Sequence, residues 1–155
     1  KGQADWTLIR EIKRNPRIKI PIFGNGDVDS IQKAADWRLE YEVDGIMIGR
    51  AAIGYPWIFR EIRHFFNTGE ILAGPTIEER VAVCRTHFDK SIAWKGPRVG
   101  IFEMRRHYAN YFKGMPDFKS YRMQLVKEEN IETIHSILDE IADKYQHLCP
   151  NGEMA

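Results

Sequence analysis

Two short apolar runs constrain this chain more than any other feature. Ile18-Lys19-Ile20-Pro21-Ile22-Phe23 is rich in β-branched residues and is closed by Gly24-Asn25-Gly26-Asp27. Gly45-Ile46-Met47-Ile48-Gly49 is wholly apolar and is closed by Arg50. Neither run alternates polar with apolar residues, so each reads as a strand covered on both faces, the mark of parallel strands in an α/β protein. Between them Asp29 or Ser30 can cap a helix through Ile31, Ala34, Ala35 and Leu39. Strand, helix and strand make one βαβ unit. A single such unit cannot close a sheet, so further strands are expected upstream.

The flanking segments read as helices. Asp5 can cap a helix with Trp6, Ile9 and Ile12 at helical spacing, ending near Asn15-Pro16. Pro56-Trp57 opens an aromatic helix through Ile58, Phe59, Ile62, Phe65 and Phe66, stopped by Gly69. Gly74-Pro75 then marks a boundary between residues 1–74 and 75–155, and beyond it only helices are expected. Thr76 with Glu79 forms a capping-box pattern for a helix to about Lys95-Gly96. Pro97 suits the first turn of the next helix, which is expected to run to Lys113-Gly114. A short helix near 118–128 follows, and then one with Ile131, Ile134, Leu138, Ile141 and Tyr145 on one face. These make a small bundle.

Two constellations could carry chemistry. Parallel α/β barrels bind ligands at the C-terminal ends of their strands, with phosphate at the last two. Asn25, Gly26 and Asp27 follow one strand, and Gly49 and Arg50 follow the next. Glycines let backbone N–H groups approach phosphate oxygens, and an arginine adds a matched fork of donors. Two ordinary tight turns, with Arg50 in a surface ion pair, would leave the same pattern.

Charge supplies the second. Net charge is only +1, yet residues 75–127 hold eleven Lys/Arg against five Asp/Glu, and residues 128–155 hold one against seven. On an ideal helix Arg98, Arg105, Arg106 and Lys113 form a basic arc beside the apolar arc of Ile101, Met104, Tyr108, Tyr111 and Phe112. Lys119 and Arg122 follow. Such a stripe suits a phosphate backbone, although solvated helix faces also carry arginines. Tyr108, Tyr111, Trp94 and Tyr121 could stack on bases, but aromatic residues at helical spacing are ordinarily core. The two cysteines, Cys84 and Cys149, are too few for a disulfide framework or metal site and read as a buried helix thiol and an exposed tail thiol in a reducing cytoplasm. No apolar run is long enough to span a bilayer.

The segments Ile20–Asp27, Asp44–Ala52, Pro56–Phe59, Glu103–Tyr108 and Tyr111–Gly114 closely resemble tRNA-dihydrouridine synthases, in particular the bacterial branch once described as nitrogen-regulation-like. The resemblance implies an FMN-bearing TIM barrel followed by a helical tRNA-binding domain. It implies reduction of specific tRNA uridines at the C5–C6 double bond, with NADPH as reductant. Residues 1–74 would then supply the seventh and eighth barrel strands with their helices, and 75–155 the helical domain. Asn25, Gly26 and Asp27 would belong to the flavin turn after the seventh strand, and Gly49 and Arg50 to the phosphate turn after the eighth. The family's proton-donating cysteine lies in an Asn-Gly-Cys-Pro context that neither Cys84 nor Cys149 has, and its flavin-contacting lysine and histidine precede this segment. The resemblance therefore implies no catalytic residue here. The expectation is a C-terminal fragment that is inactive alone, from a cytoplasmic, metal-free and monomeric parent. The competing readings are another phosphate-binding barrel enzyme and a non-catalytic RNA-binding module.

Overall fold

The computed structural model describes residues 2–148, which fold as two compact units that divide between Leu72 and Ala73. Cys149 lies outside the described residues.

In the first unit the Asp5 carboxylate accepts hydrogen bonds from the Thr7 N–H (2.9 Å) and hydroxyl (2.7 Å), which starts helix α1 (Thr7–Arg14). Trp6, just ahead of it, is the largest fully buried side chain of the unit. It packs against Trp37 and Tyr41, with ring centroids 4.7 and 5.5 Å away. Strands β1 (Phe23–Asn25) and β2 (Gly45–Met47) pair in parallel, with Phe23 opposite Gly45, Gly24 opposite Ile46 and Asn25 opposite Met47. Parallel pairing follows the sequence reading, but β1 starts at Phe23 rather than Ile18. Pro21 has no N–H to give to a ladder, and the neighbouring strand starts only at Gly45. The ladder opens instead through Asp44, whose carboxylate accepts from the Ile22 N–H at 2.7 Å and whose own N–H donates to the Ile22 carbonyl at 2.9 Å.

One face of this sheet is covered, not two. Gly24 and Ile46 turn toward a core of Trp6, Val28, Ala34, Val43, Ile58 and Ile62, while Phe23 and Met47 on the opposite face are 64% and 58% exposed. Helix α2 (Ile31–Tyr41) is capped by the Ser30 hydroxyl, which accepts from the Lys33 N–H at 3.3 Å. A single 3-10 turn (Arg50–Ala52) leads from β2 toward α3 (Ile58–Thr68). Gly69 ends α3 at φ 76°, a conformation that favours glycine.

In the second unit α4 (Ile77–Lys95) carries the full capping box. The Glu79 N–H donates to the Thr76 hydroxyl (3.2 Å), and the Thr76 N–H donates to the Glu79 carboxylate (2.9 Å). Helix α5 (Pro97–Met104) follows after Gly96. The continuous helix expected from Pro97 to Lys113 is broken: α5 stops at Met104, and a four-residue α6 (Tyr108–Tyr111) resumes after a turn. The turn tightens, with His107 N–H donating to Met104 O at 2.8 Å and Asn110 N–H to His107 O at 2.9 Å, both three residues back. Tightening lets Met104, Tyr108, Tyr111 and Phe112 all reach the core. The regular basic arc does not survive it. Helices α7 (Lys119–Lys127) and α8 (Ile131–Tyr145) complete the unit. Cys84, Phe88, Leu125, Ile134, Leu138 and Ile141 are fully buried, and Ile137 joins the expected face of α8.

Candidate functional site

Because the strands run parallel, the turns after β1 and β2 lie at the same end of the sheet. Gly26 has φ 119°, and a Cβ there would stand 2.5 Å from the Ala4 methyl, so both backbone shape and space demand glycine. Asp27 follows at φ 53°, a region that aspartate tolerates better than most residues. The turn is held from below by the segment ahead of α1. The Trp6 indole N–H donates to the Gly26 carbonyl at 3.2 Å, and the Ala4 N–H donates to Asp27 Oδ2 at 2.7 Å. The other Asp27 oxygen accepts from Arg50 Nη2. The Ala4 N–H first, and then the Arg50 guanidinium and Lys33, hold the Asp27 carboxyl below the usual carboxylate range despite its partial desolvation. Asp27 is therefore ionised at neutral pH and fixes one nitrogen of Arg50.

The rest of the Arg50 side chain is open, at 81% exposed. Asn25, Gly26, Asp27, Met47, Gly49 and Arg50 line an open hollow of about 510 Å³. At Gly49 a Cβ would meet nothing within 4 Å, so this side of the hollow is free space. The first N–H groups of the 3-10 turn have no acceptor within that turn. Asp29 at the rim is balanced by Lys33 at 3.7 Å. What lines the hollow is a guanidinium with spare donors beside two glycine turns, a set that fits an exposed phosphate. The five residues singled out from sequence thus come together. Ala4 and Trp6 were not singled out as site residues, because their role depends on contacts twenty or more positions along the chain.

The basic residues of the second unit do not form one stripe. Arg98 and Arg105 share a shallow hollow with Phe102, whereas Arg106 opens onto a different one beside Trp94. Lys113, Lys119 and Arg122 are exposed. Arg105 is half-buried: it pairs with Glu129 at 3.2 Å, lies over the Phe102 ring at 5.4 Å, and has a buried Nε without a partner. Tyr108 and Tyr111 are core, Tyr121 is half-buried, and Trp94 is 83% exposed. Cys84 is fully buried, and burial pushes its thiol up out of reach of ionisation. No described helix is long and apolar enough to cross a membrane.

Residues 1–146, across both units, match the family described as dihydrouridine synthase (Dus). Similar proteins include a "Probable tRNA-dihydrouridine synthase" of Rickettsia conorii, 36% identical over 121 residues that make up 78% of this chain and 36% of that protein. "Probable tRNA-dihydrouridine synthase 1" of Synechocystis sp. is 34% identical over 139 residues, 90% of this chain and 38% of that protein. "tRNA-dihydrouridine synthase B" of Pseudomonas putida is 39% identical over 121 residues, 78% of this chain and 35% of that protein. The chain thus spans little more than a third of the length of these relatives. With its paired glycine turns and its match over nearly all the described residues, the chain belongs to the dihydrouridine synthase family.

Proposed function

We propose that this chain is the C-terminal part of a flavin-dependent tRNA-dihydrouridine synthase. Residues 1–74 are the last two βα units of an FMN-binding TIM barrel, and residues 75–155 are a helical domain that holds tRNA. The observation that carries the reading is the pair of turns, Asn25-Gly26-Asp27 and Gly49-Arg50, at one end of adjacent parallel strands around a common hollow. The uncovered sheet face at Phe23 and Met47 supports it as well, since such residues suit the inside of a barrel with further strands.

FMN, when bound, supplies the two-electron reduction of the uridine double bond, with electrons taken from NADPH. This chain's own residues bind and orient. Gly26 and Gly49 would let backbone amides approach the phosphate and Arg50 would neutralise it, while Asp27 holds Arg50 in place. Arg98, Arg106, Lys113, Lys119 and Arg122 would meet tRNA phosphates, with Arg105 contributing less because it is half-buried and paired. Among the described residues no cysteine is placed to donate a proton to substrate: Cys84 is sealed in the helical core. The chain alone is therefore inactive.

The test uses the complete protein. It should purify with a flavin spectrum and should form dihydrouridine in an unmodified tRNA transcript when NADPH is added. A complete protein that retains no flavin and leaves the transcript unreduced would refute the proposal.

A further inference from the structure

The chain has four tryptophans, and the structure treats one of them differently. Trp6 and Trp57 are buried and Trp37 is half-buried, but Trp94, at the end of α4, is 83% exposed. A single exposed apolar side chain needs no explanation. The surroundings of this one do.

Trp94 stands at the rim of a hollow of about 300 Å³, near the lower limit for small-molecule sites. The rings of His87 and His107 also line it, with centroids 4.9 Å apart. The His87 Nδ1 is 3.0 Å from the Tyr111 hydroxyl, and the Arg106 Nε donates to His107 Nε2 at 3.4 Å, so both rings are oriented. Burial acts first on each imidazole, assisted by Lys95 at His87 and by His87 at His107, and holds both below the usual histidine value. Both rings are therefore neutral at pH 7. Around the hollow stand Lys90, Lys95 and Arg106 against a single carboxylate, Glu103. Lys95 pairs with that carboxylate and holds its ammonium 5.0 Å from the Trp94 ring centre. Lys90 has no ion pair among the described residues, and Arg106 is 69% exposed. A flat aromatic face, a neutral polar interior and a cationic rim match the chemistry of an unstacked nucleobase flanked by its phosphates. An apolar protein partner would leave Lys90 without a counter-charge and Arg106 with only the Glu103 carboxylate, 4.0 Å away and shared with Lys95.

We propose that the hollow between the end of α4 and the α5–α6 turn takes one unpaired base of the RNA, stacked on Trp94, with the adjoining phosphates met by Lys90 and Arg106. This rests on the reading of the second unit as the tRNA-holding part, and it adds a base-stacking site to what was there a set of phosphate contacts.

The test measures binding of an unmodified tRNA transcript to the complete protein at several salt concentrations. Trp94→Ala should weaken binding about 10-fold, the range of a lost base–aromatic stack, and should leave the salt slope unchanged because no charge is removed. Trp94→Phe should keep most of the affinity. Lys90→Ala and Arg106→Ala should each lower the salt slope by about one unit. Trp94 is at the surface, so a melting curve should be unaltered in both of its variants. Unchanged tRNA affinity in Trp94→Ala, with the parent still binding tRNA and forming dihydrouridine, would overturn this inference alone. A parent that binds no tRNA would overturn the functional reading along with it.

Discussion

Replacing Gly24 by alanine tests whether the turn after β1 depends on the packing beneath it. A Cβ at this position would lie 2.0 Å from Trp6 Cζ3 and 2.2 Å from Cη2. Ordinary carbon contact is about 3.5 Å, so the indole would have to withdraw by about 1.5 Å. It has nowhere to go: the residue is 1% exposed and is wedged against Trp37 and Tyr41. Overpacking of a fixed core costs about 1–3 kcal/mol. Withdrawal also takes the indole N–H off the Gly26 carbonyl, a further loss of roughly 0.5–1.5 kcal/mol. Against this, alanine in a strand is favoured over glycine by roughly 0.5–1 kcal/mol. The net expectation is a loss of about 2 kcal/mol. Urea unfolding of the complete protein reads the stability, and the flavin retained on purification reads the turn, which should lose occupancy as its carbonyl support moves. Adding Trp6→Leu should restore part of the stability lost by Gly24→Ala, because the smaller side chain makes room for the methyl. A Gly24→Ala variant with the parent's unfolding midpoint, or a double variant no better than the sum of the singles, would refute the argument.

Other consequences are equally open to measurement. Arg50→Ala should weaken flavin binding by about 10- to 100-fold in a fluorimetric titration, the range for a lost charge-assisted phosphate contact. It should leave the melting temperature nearly unchanged, since the Asp27–Arg50 pair is largely solvated on the arginine side. Gly100→Ala should lower thermal stability by about 2 kcal/mol even though alanine favours helix by about 1 kcal/mol. Its Cβ would stand 2.8–2.9 Å from the backbone of Ser91 and Ile92, which cannot swing aside, and a higher melting temperature would contradict this. His87 and His107 face Lys95 on α4, Glu103 on α5, Arg106 in the turn and Tyr111 on α6, and both titrate lower in the fold than unfolded. The unfolded state therefore takes up protons first, so stability should fall as pH drops below about 6.5 and continue to fall through the lower folded values. A melting temperature flat from pH 7.5 to 5.5 in a His87→Gln/His107→Gln variant, beside a falling one in the parent, identifies the pair; parallel curves would rule it out.

Local chemistry was legible in the sequence and long-range fit was not. The Thr76–Glu79 capping box, the Ser30 cap, the stop at Gly69 and the start at Pro97 each depend on residues within a turn of one another, and each forms as read. The break in the Pro97–Lys113 helix was invisible because no glycine or proline marks it. It arises where Tyr108, Tyr111 and Phe112 turn together into a core built by α4, α7 and α8. The apolar positions were correctly identified, yet their phase along a single ideal helix was not. The two turns at the strand ends were legible because glycine spacing encodes them. The Ala4 and Trp6 contacts that shape the first turn have no local signature. Trp94 shows the same limit from the other side: at helical spacing an aromatic residue is ordinarily core, and only the fold shows this one to be exposed.

Two arginines, each paired with one carboxylate, show why the fold decides which charge can serve as a ligand. Arg50 and Arg105 each have one carboxylate partner, Asp27 and Glu129. At Arg50 the carboxylate is the less exposed partner, at 23%, and the guanidinium is at 81%; the anion is anchored by Ala4 and the cation extends outward. An incoming phosphate would meet an oriented fork that has not lost its hydration to the protein. At Arg105 the exposures are reversed, 25% for the arginine and 81% for Glu129, and the guanidinium lies over Phe102 with its Nε already buried and unpaired. There the protein has already borne most of the desolvation, and Glu129 is the group that faces water. Approach of a phosphate would have to displace that carboxylate or sit beside it, at a cost in repulsion. The same residue type with the same kind of partner is thus open to an anion in one place and a packing element in the other. What separates them is which member of the pair the core holds.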